Sequence, residues 1–338
     1  MIQTSEYCAV GHPDRMCDYI ASYILDRYLE KDPEARVALE VQFKDHSCRV
    51  AGEVTSSWKF SDDEIRCFVR HAVEKVGYTV DYRYKFGIDN TISCQDVETE
   101  VLISQQSPDI AQGVNREGWG DQGIFFGLAV RDQEHGNLPL DYFLARRIAH
   151  ELVSREVGGL DVKTQVTVEN GKPIEVVVAI PLVDDLPEDH VESVVREFVG
   201  QDCKVIINGT GRYVVHGPVG DCGTTGRKLV VDFYGGNSRI GGGSPWGKDP
   251  TKADVTLNIY ARMLALEYMT ARGLDWVQCA ISCCIGKSEI RISYYDGENH
   301  LLETRTEAEP PSHIIEEQGL RYPGYADRCA AGLFGFEY

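Results

Sequence analysis

Positive charge is scarce in this sequence. Its 338 residues include 53 aspartates and glutamates but only 34 lysines and arginines, which gives a formal net charge of −19. Because binding to a nucleic-acid backbone depends on clustered positive charge, this balance argues against a nucleic-acid partner. The hydrophobic fraction of 43% is ordinary, so the chain is long and apolar enough to bury a core.

Long apolar runs are missing as well. The longest, near "VVVAIPLV", is far too short to cross a bilayer. The N-terminal "MIQTSEYCAVGHPDR" has no basic start followed by an apolar stretch, so it does not resemble a secretory signal. The sequence therefore predicts a cytoplasmic protein that has no membrane partner.

A C-x-x-C pair is absent too, which leaves a thiolate zinc site with little support. The 11 cysteines could form disulfides, but a chain of 338 residues does not need such links to be stable. Cys283 and Cys284 are adjacent and alternate faces in a predicted strand. Reduced thiols in the core of a cytoplasmic protein are the favoured interpretation.

Periodic patterns predict a helix, a pair of strands and a second helix near the N-terminus. From Pro13 onward apolar residues recur four positions apart, as at Ile20 and Ile24, which is typical of an amphipathic helix opened by proline. The stretch "ARVALEVQF" alternates apolar and polar residues as a strand does, and "CRVAGEVTSS" resembles its antiparallel partner. Ser61 and Glu64 then form a capping-box signature ahead of the second helix.

The order of two strands and a helix recurs further along the chain. "KTQVTVENGKPIEVVVAIPLV" carries Asn170 and Gly171 between alternating strands, a strong hairpin signal, and "PEDHVESVVREFV" supplies a helix after it. A third pair of strands is expected in residues 277–296, but no comparable amphipathic helix follows directly, because "ENHLLETRTEAEPP" is polar and ends in two prolines. These patterns predict an α+β fold of three related units, of which the third is abbreviated.

The connection between the first two units is the stretch "SQQSPDIAQGVNREGWGDQGIFFGLAV", which starts polar and ends apolar. It is interpreted either as a mobile loop over a site or as a plain surface connection, and the pattern favours neither. A long helix, "KADVTLNIYARMLALEYMTAR", is predicted to end at Gly273, a residue typical of helix C-termini.

Residues 234–254, "YGGNSRIGGGSPWGKDPTKAD", combine many glycines with Lys248, Lys252 and Asp254. Glycines let backbone N–H groups approach phosphate oxygens, and lysines neutralise the charge of those oxygens. The stretch therefore points to a polyphosphate that is bound together with a metal ion.

Two further stretches carry charges that suit the same ligand. In "GHPDR", His12 and Asp14 lie at the mouth of the first helix, where they either cap the helix or meet a phosphate and its magnesium ion. "NGTGRYVVHGPVGDCGTTGRKLVVDFYGG" contributes Arg212, Asp221, Arg227 and Lys228. The chain has neither a P-loop nor the dinucleotide fingerprint, and the charges together suit Mg²⁺ with a triphosphate.

These segments, taken in order, resemble the signature segments of the S-adenosylmethionine synthetase family, also called methionine adenosyltransferases. The matching stretches are "GHPDR", "AGEVTSS", "QSPDIAQGV", "GDQGIFFGLA", "GTGRYVVHGP", "GDCGTTGRKLVVDFYGG" and "GGGSPWGKDPTKAD". The likeness covers nearly the whole chain, and the last two stretches are highly specific.

The resemblance implies three α+β units with approximate threefold symmetry, here residues 1–108, 117–215 and 216–338, and a lid loop at 104–120. It implies an enzyme that joins ATP and L-methionine to S-adenosylmethionine and splits the released triphosphate into phosphate and pyrophosphate. The implied cofactors are Mg²⁺, with two ions in each site, and K⁺. Because the family's sites lie between two subunits, the chain is expected to form at least a homodimer, with a tetramer as the larger alternative.

The resemblance also assigns roles to individual residues. The implied catalytic residues are His12, which donates to the leaving oxygen, and Lys163, Arg227 and Lys248. The implied ATP-binding residues are His12, Asp121, Asp161, Lys163, Arg212, Tyr213, Asp221, Arg227, Lys228 and Lys248. The implied methionine-binding residues are Glu53 and Gln106, both from the other subunit, with Asp221, Lys252 and Ile285. The implied metal ligands are Asp14 and Asp254 for Mg²⁺, and Glu40, with backbone near Cys222, for K⁺.

The chain departs from the family pattern at a few points. Val10 stands where the family usually has glutamate, and Arg15 stands where it usually has lysine. Arginine keeps the charge in a planar fork, which predicts a changed phosphate geometry. The segment between "QGVNRE" and "GDQG" is shorter than usual, and the trimmed third unit predicts weaker pairing of dimers into tetramers.

Two other functions compete with synthesis. One is a homologue that binds ATP or a true synthetase without catalysis, but such a protein has little use for His12, both metal carboxylates and the lysines. The other is a phosphohydrolase that acts on triphosphate alone, for which Glu53 and Gln106 have no use.

Overall fold

The computed structural model describes residues 2–105 and 118–335 of the chain. Within these ranges twelve strands form three sheets of four strands each. In chain order the strands are β1 (Ile2–Cys8), β2 (Arg36–Lys44), β3 (Ser47–Thr55), β4 (Glu98–Ser104), β5 (Gly123–Val130), β6 (Lys163–Glu169), β7 (Lys172–Ala179), β8 (Lys204–Ile207), β9 (Gly223–Thr224), β10 (Trp276–Cys283), β11 (Glu289–Tyr295) and β12 (Leu301–Ala308).

Helices of very different length cover one face of each sheet. Those in the described ranges are α1 (Pro13–Lys31), α2 (Asp62–Val76), α3 (Val80–Phe86), α4 (Leu140–Ser154), α5 (Glu188–Val199), α6 (Leu229–Asp232), α7 (Ala253–Arg272), α8 (Pro311–Glu317) and α9 (Tyr325–Ala331). Helices α1 and α2 pack on the first sheet, α4 and α5 on the central sheet, and α7 on the third. No helix in the described ranges has both the length and the apolar character that crossing a membrane requires.

The three sheets share one plan. The first sheet has the strand order β4-β3-β2-β9, the central sheet β1-β6-β7-β8, and the third β12-β11-β10-β5. In each sheet a strand from a distant part of the chain pairs antiparallel with the first strand of a hairpin. In the first and central sheets the strand after the hairpin pairs in parallel, because helices connect the two. The predicted α+β fold of three related units is confirmed.

The third unit is abbreviated at the predicted place. After β11 the chain makes a short turn and returns as β12, which pairs antiparallel because no helix intervenes. The prediction that no amphipathic helix follows this hairpin directly is thus confirmed. The polar segment itself forms β12, a strand that the sequence analysis does not predict, and the seven-residue helix α8 comes only after it.

Each predicted unit lends one strand to the next. Strand β1, from the 1–108 segment, completes the central sheet; β5, from 117–215, completes the third; and β9, from 216–338, completes the first. The two boundaries between the predicted units therefore stay a prediction, because each sheet combines strands from two units. Residues 106–117, most of the predicted lid loop, lie outside the described residues.

Local signals account for the ends of several elements. Helix α1 begins at Pro13 behind the cap residue His12, and α2 has both hydrogen bonds of a capping box between Ser61 and Glu64. The β6–β7 turn places Asn170 at φ 50° and the following glycine at φ 77°, as a tight hairpin requires. Helix α7 ends at Gly273 in the left-handed region. These predictions are confirmed.

Strand β2 shows how the sheets divide core from surface. Its odd positions, such as Leu39 and Val41, are buried against the helices, while Glu40 and Gln42 are exposed on the other face. We call the faces of the three sheets that point away from the helices the outer faces. A large buried cluster joins the first and central sheets, and a smaller one joins the third sheet to α7.

Candidate active site

One edge of β2 aligns the two loops, 222–228 and 241–252, that carry most of the predicted phosphate-binding residues. The Leu39 N–H donates to the Gly247 carbonyl of the second loop at 2.9 Å. Two residues further on, the Val41 carbonyl accepts from an N–H of the first loop at 2.9 Å. Because two residues of a strand span roughly 7 Å, the loops lie side by side.

Asp14 forms the first of two carboxylate–lysine pairs. It is fully buried in the first turn of α1, where its Oδ2 lies 2.5 Å from Lys228 Nζ. Its Oδ1 accepts from the Thr224 N–H at 2.9 Å and lies 3.6 Å from Arg227 Nε. Burial raises the pKa of this carboxyl, but the hydrogen bonds from Lys228 and Thr224 outweigh burial and bring the pKa below its ordinary value. Asp14 is therefore ionised beside two cations.

His12 caps the same helix. Its Nδ1 accepts from the Asp14 N–H at 3.2 Å and so caps the helix, which leaves the other ring nitrogen for a ligand. Burial, followed by the charge of Lys228, lowers the pKa of the imidazole to about 4. The ring is neutral near pH 7, and because Nδ1 is an acceptor, the proton lies on Nε2. That N–H is a donor for an oxygen atom of a ligand.

Lys248 and Asp254 form the second pair. Lys248 Nζ lies 2.5 Å from Asp254 Oδ2, and the Gly243 N–H donates to Oδ1 at 2.8 Å. The preceding residue, Gly242, has a φ of +75°, and a Cβ there would lie 2.8 Å from Oδ1. Bare backbone is therefore required where the loop passes this carboxylate.

The donor set fits a metal ion that is shared with phosphate. In residues 2–105 and 118–335, no three His, Cys, Asp or Glu side chains form a group that could hold a metal by themselves. Asp14 and Asp254 each offer one carboxylate beside a lysine. Mg²⁺ usually takes one or two carboxylates and completes its shell with phosphate oxygens and water, so these residues fit Mg²⁺.

Asp161 connects the site to the predicted nucleoside-binding residues. Its buried carboxylate accepts from the Gly217 N–H at 2.9 Å and from the Tyr213 hydroxyl, while burial raises its pKa to about 6. Arg212 and Tyr213 line a cavity of about 420 Å³. The structure thus brings together three of the residues predicted to seat the nucleoside.

Lys163 lies at the start of β6, close to His12. Its Nζ pairs with Glu6 Oε2 on the neighbouring strand β1 at 2.8 Å. Burial and the charge of Lys228 lower the pKa of His12 most. The charge of Lys163 lowers it further, and the charge of Asp221 raises it. The charges of Lys163 and Asp221 therefore reach the imidazole.

Asp121 and Ile285 meet at one end of the third sheet. Asp121 lies just before β5 and Ile285 just after β10, and these strands pair there through Gly123 and Cys283. The Cys283 thiol donates to the Asp121 carbonyl at 3.4 Å. Burial above all raises the pKa of this thiol to about 12, and the charges of Asp121 and Asp254 add to the rise. The Asp121 end of the sheet therefore lies near the second carboxylate–lysine pair.

Lys252 has a buried partner that the sequence analysis does not name. Its Nζ lies 3.3 Å from Asp249 Oδ2, and that carboxylate also accepts from the Val37 N–H at 2.7 Å. Asp249 stands inside the quoted stretch "GKDPTKAD", so the motif itself contains the signal. Glu6, the partner of Lys163, has no such signal because only the pairing of β1 with β6 brings it close.

Two predicted residues lie apart from the carboxylate–lysine pairs. Glu40 and Glu53 are exposed on the outer face of the first sheet. Glu53 stands opposite Ala38, which forms a bridge to Lys248, so the Glu53 backbone lies one strand away from the second pair. Gln106 lies outside the described residues.

The expectation that Arg15 changes the phosphate geometry is wrong. Its side chain is fully buried, with Nη1 at 2.6 Å from Asp232 Oδ1 and 3.1 Å from Asp18 Oδ2. Its Nη2 donates to the Cys329 carbonyl of α9 at 2.9 Å. The guanidinium donates its hydrogen bonds to buried carboxylates and to this carbonyl, so Arg15 connects α1 to the C-terminal helix.

The fold and these charges define an enzyme of the α+β class whose site suits a phosphorylated nucleotide. Comparison with known proteins is more specific. The family model for the N-terminal domain of S-adenosylmethionine synthetase matches residues 1–108, and the model for its C-terminal domain matches residues 215–338. The chain belongs to the S-adenosylmethionine synthetase family.

Individual relatives agree with this assignment. The chain is 36% identical to the S-adenosylmethionine synthase of Clostridium tetani, over 98% of this chain and 93% of that protein. It is also 36% identical to the S-adenosylmethionine synthase of Wolinella succinogenes, over 99% and 92%. Among solved structures, an unusual S-adenosylmethionine synthetase from Campylobacter jejuni matches with a TM-score of 0.86 at 28% identity, over 99% of this chain and 95% of that one.

Proposed function

We propose that this chain joins ATP and L-methionine to form S-adenosyl-L-methionine and splits the released triphosphate into phosphate and pyrophosphate. One observation carries the proposal. In a chain of this family, two carboxylate–lysine pairs, Asp14 with Lys228 and Lys248 with Asp254, lie on or against loops that share one edge of β2. Paired charges of this kind suit a triphosphate that carries metal ions.

The chemistry needs no general base. The methionine thioether is neutral and has no proton to lose, so its sulfur attacks the ribose C5′ in line with the departing triphosphate. Catalysis then consists of alignment and of stabilising the negative charge that grows on the leaving oxygen. The Nε2–H of His12 donates to that oxygen, while Lys163, Arg227 and Lys248 neutralise the phosphates.

Enzymes of this family need metal ions, and the finer assignment here is two Mg²⁺ and one K⁺. Asp14 and Asp254 would each hold one Mg²⁺, and Lys228 and Lys248, which neutralise these carboxylates, would contact phosphate oxygens. When bound, Mg²⁺ supplies positive charge at the phosphates. Glu40 would hold K⁺ together with backbone near Cys222. Its position supports this role, because Gln42, two residues further along β2, pairs with Thr224 of β9.

Methionine would lie at the Asp121 end of the third sheet. Ile285 is exposed there beside Asp121 and supplies an apolar surface for the thioether chain. Asp221 is close to His12 and would hold the amino group between the nucleotide and the methionine. Lys252 would add positive charge, while Glu53 and Gln106 would come from the other subunit.

The working unit would be a homodimer. Each of the three sheets carries an exposed apolar side chain on its outer face: Leu102 on the first, Ile2 on the central and Ile124 on the third. Glu53 lies on the same outer face as Leu102, so a subunit seated there would receive it. Pairing of dimers into tetramers would be weak because the third unit is abbreviated.

The proposed location is the cytoplasm. All 11 cysteines lie in the described residues and are free thiols, most of them buried. Free thiols in this number suit a reducing compartment. The proposed partners are ATP, methionine and a second copy of the chain, without nucleic acid or membrane.

Product analysis tests the function. Purified protein is incubated with ATP, Mg²⁺ and K⁺, with and without methionine, and the products are followed by mass spectrometry. We expect S-adenosylmethionine, phosphate and pyrophosphate in the sample that contains methionine. Cleavage of triphosphate without the sulfonium product would show a phosphohydrolase, and bound ATP without turnover would show a binding subunit; either result contradicts the proposal.

A further inference from the structure

His216 lies behind the wall of the 420 Å³ cavity that Arg212 and Tyr213 line. The side chain is fully buried, and the residue directly precedes the 3₁₀ turn Gly217–Val219. It does not line the cavity, but it contacts four residues that do. The imidazole contacts Phe86 and Tyr213, with ring centroids at 5.3 and 6.5 Å, and it hydrogen-bonds to the Val214 carbonyl at 2.6 Å. The backbone N–H of His216 donates to the Asn90 carbonyl at 2.9 Å.

The partners of His216 determine its tautomer. Nδ1 lies 2.6 Å from the Val214 carbonyl, an atom that only accepts, so Nδ1 carries the proton. Nε2 lies 2.6 Å from the Tyr82 hydroxyl. Because that hydroxyl accepts from the Leu160 N–H at 2.9 Å, its own hydrogen goes to Nε2. A neutral imidazole therefore satisfies every polar atom of this buried chain of hydrogen bonds.

The same chain of hydrogen bonds reaches the nucleoside end of the site. Leu160, held by Tyr82 of α3, is followed directly by Asp161. Asp161 accepts from the Tyr213 hydroxyl and from the N–H of Gly217, the residue after His216. The segment that carries Tyr213 is thus held at two points, by the imidazole and by the carboxylate.

We propose that His216 is a positioning residue for the nucleoside: it holds Tyr213 and Val214 against α3, and so keeps the wall of the cavity that receives the base and its ribose in place. This inference rests on the proposed function and deepens it. The lysines at the phosphate end, Lys228 and Lys248, pair instead with Asp14 and Asp254. Loss of His216 should therefore weaken binding of a nucleotide without weakening binding of a bare triphosphate.

The test compares two substrates in one protein. The KM for ATP, measured with methionine, and the KM for inorganic tripolyphosphate, measured by its hydrolysis, are determined for wild type, His216→Ala, His216→Asn and Tyr82→Phe. For His216→Ala we expect the KM for ATP to rise at least about tenfold and the KM for tripolyphosphate to change less than about twofold. His216→Asn places an amide donor near the Val214 carbonyl and should recover part of the loss. Tyr82→Phe should shift the KM for ATP in the same direction, because it leaves Nε2 and the Leu160 N–H without their partner.

Several results would overturn the assignment. An unchanged KM for ATP in His216→Ala would remove the positioning role, and an equal loss with both substrates would show that His216 only supports the fold. Dissociation constants for a non-hydrolysable ATP analogue, measured by calorimetry, separate this inference from the function. If the wild type binds the analogue but makes no sulfonium product, the proposed function fails, and the comparison of dissociation constants still decides about His216.

Discussion

The carboxylate–lysine pairs are the residues that prepare this site for phosphate. A buried carboxylate such as Asp14 is costly unless a cation neutralises it, and Lys228 lies 2.5 Å away to do so. Lys248 does the same for Asp254. Each pair thus places a proposed metal ligand and a proposed phosphate ligand within hydrogen-bond distance of each other.

Removing one member of either pair should slow product formation. For Lys248→Ala and for Asp14→Asn we expect a rate at least about tenfold lower, equivalent to about 1.4 kcal/mol of transition-state stabilisation. Initial rates of S-adenosylmethionine formation at saturating Mg²⁺ measure the effect. Lys204→Ala and Asp45→Asn are matched controls, because these residues form similar ion pairs on the surface with Glu175 and Lys44. Wild-type rates in Lys248→Ala or Asp14→Asn would refute the assigned roles.

A buried histidine makes stability depend on pH. Burial lowers the pKa of His150 to about 4, and its ring packs edge-on against Tyr7. In the unfolded chain this histidine binds a proton below its ordinary pKa of about 6.5, whereas in the folded chain it stays neutral until the pH approaches 4. Its contribution to the free energy of unfolding is therefore complete above pH 6.5 and is lost as the pH falls toward 4. Between pH 7 and 5 this group should cost on the order of 2 kcal/mol of unfolding free energy.

The variant His150→Phe isolates that contribution. Burial raises the pKa of Asp161 to about 6, and this buried group opposes the trend in both proteins. Urea unfolding at pH 7 and at pH 5 gives the free energy of unfolding of both proteins. We therefore expect the wild type to lose more of this free energy than the variant when the pH falls from 7 to 5. Parallel pH dependences would contradict the neutral, buried state of His150.

The sequence indicates the charged residues of the proposed site more readily than it indicates which residues they pair with. Lys248 and Asp254 stand six residues apart in one motif, so a local pattern contains both. Glu6 and Lys163 meet only through the pairing of β1 with β6, and Arg15 turns away from the site because its acceptors, Asp232 and the Cys329 carbonyl, come from distant parts of the chain. Contacts between residues so far apart in the chain produce no local sequence pattern from which they could be predicted.

Among the elements, the glycine-rich loop 241–252 is constrained most closely. Gly242 needs both a positive φ and the absence of a Cβ, because the carboxylate of Asp254 and the ring of Phe125 are in contact with it. Gly171 of the β6–β7 turn has nearly the same φ, +77°, but nothing within 4 Å of the added Cβ. A side chain at either glycine would strain the backbone, but only a side chain at Gly242 would also displace a residue of the site.

Replacement of each glycine by alanine makes this separation measurable. Both Gly242→Ala and Gly171→Ala should lose about 1 kcal/mol of stability from the left-handed backbone. Only Gly242→Ala should also lose activity, by about tenfold or more, because the methyl group displaces Asp254. Thermal unfolding and initial rates give the two quantities. Equal activity in both variants would mean that the loop does not position the carboxylate.

Periodicity predicts elements that are long or closed by a local turn. Helices α1 and α2 and the β6–β7 hairpin follow from their own residues, because caps, spacing and turn residues lie within a few positions. Strands β1 and β9 are added to sheets whose other strands lie far away in the chain, and β12 is too polar on both faces to show alternation. Their pairing depends on the whole fold.

At the scale of the whole molecule, the helices cover the inner faces of the three sheets, while part of each outer face is exposed. Exposed Leu102, Ile2 and Ile124 place one apolar side chain on each outer face. Burial of such faces against a second copy would remove apolar area from water and would bring Glu53 of one subunit to the other. Dimerisation and activity should then be coupled.

Leu102→Asp tests this coupling. A charge at the centre of an apolar contact should shift the protein toward monomer and lower the rate at dilute protein concentration, because the Glu53 contribution is lost with the partner. Tyr322→Asp is the control, since Tyr322 is also exposed but lies between α8 and α9, outside the strands. Sedimentation velocity and rates at matched concentrations give the answer. A monomeric variant with full activity would contradict the shared site.

The most direct measurement is a structure of the protein with Mg²⁺ and a non-hydrolysable ATP analogue. The account predicts that Lys228 and Lys248 Nζ lie within hydrogen-bond distance of phosphate oxygens, that Asp14 and Asp254 each contact Mg²⁺, and that the base lies beside Tyr213. A nucleotide bound elsewhere, with both lysines still paired only to their carboxylates, would contradict it.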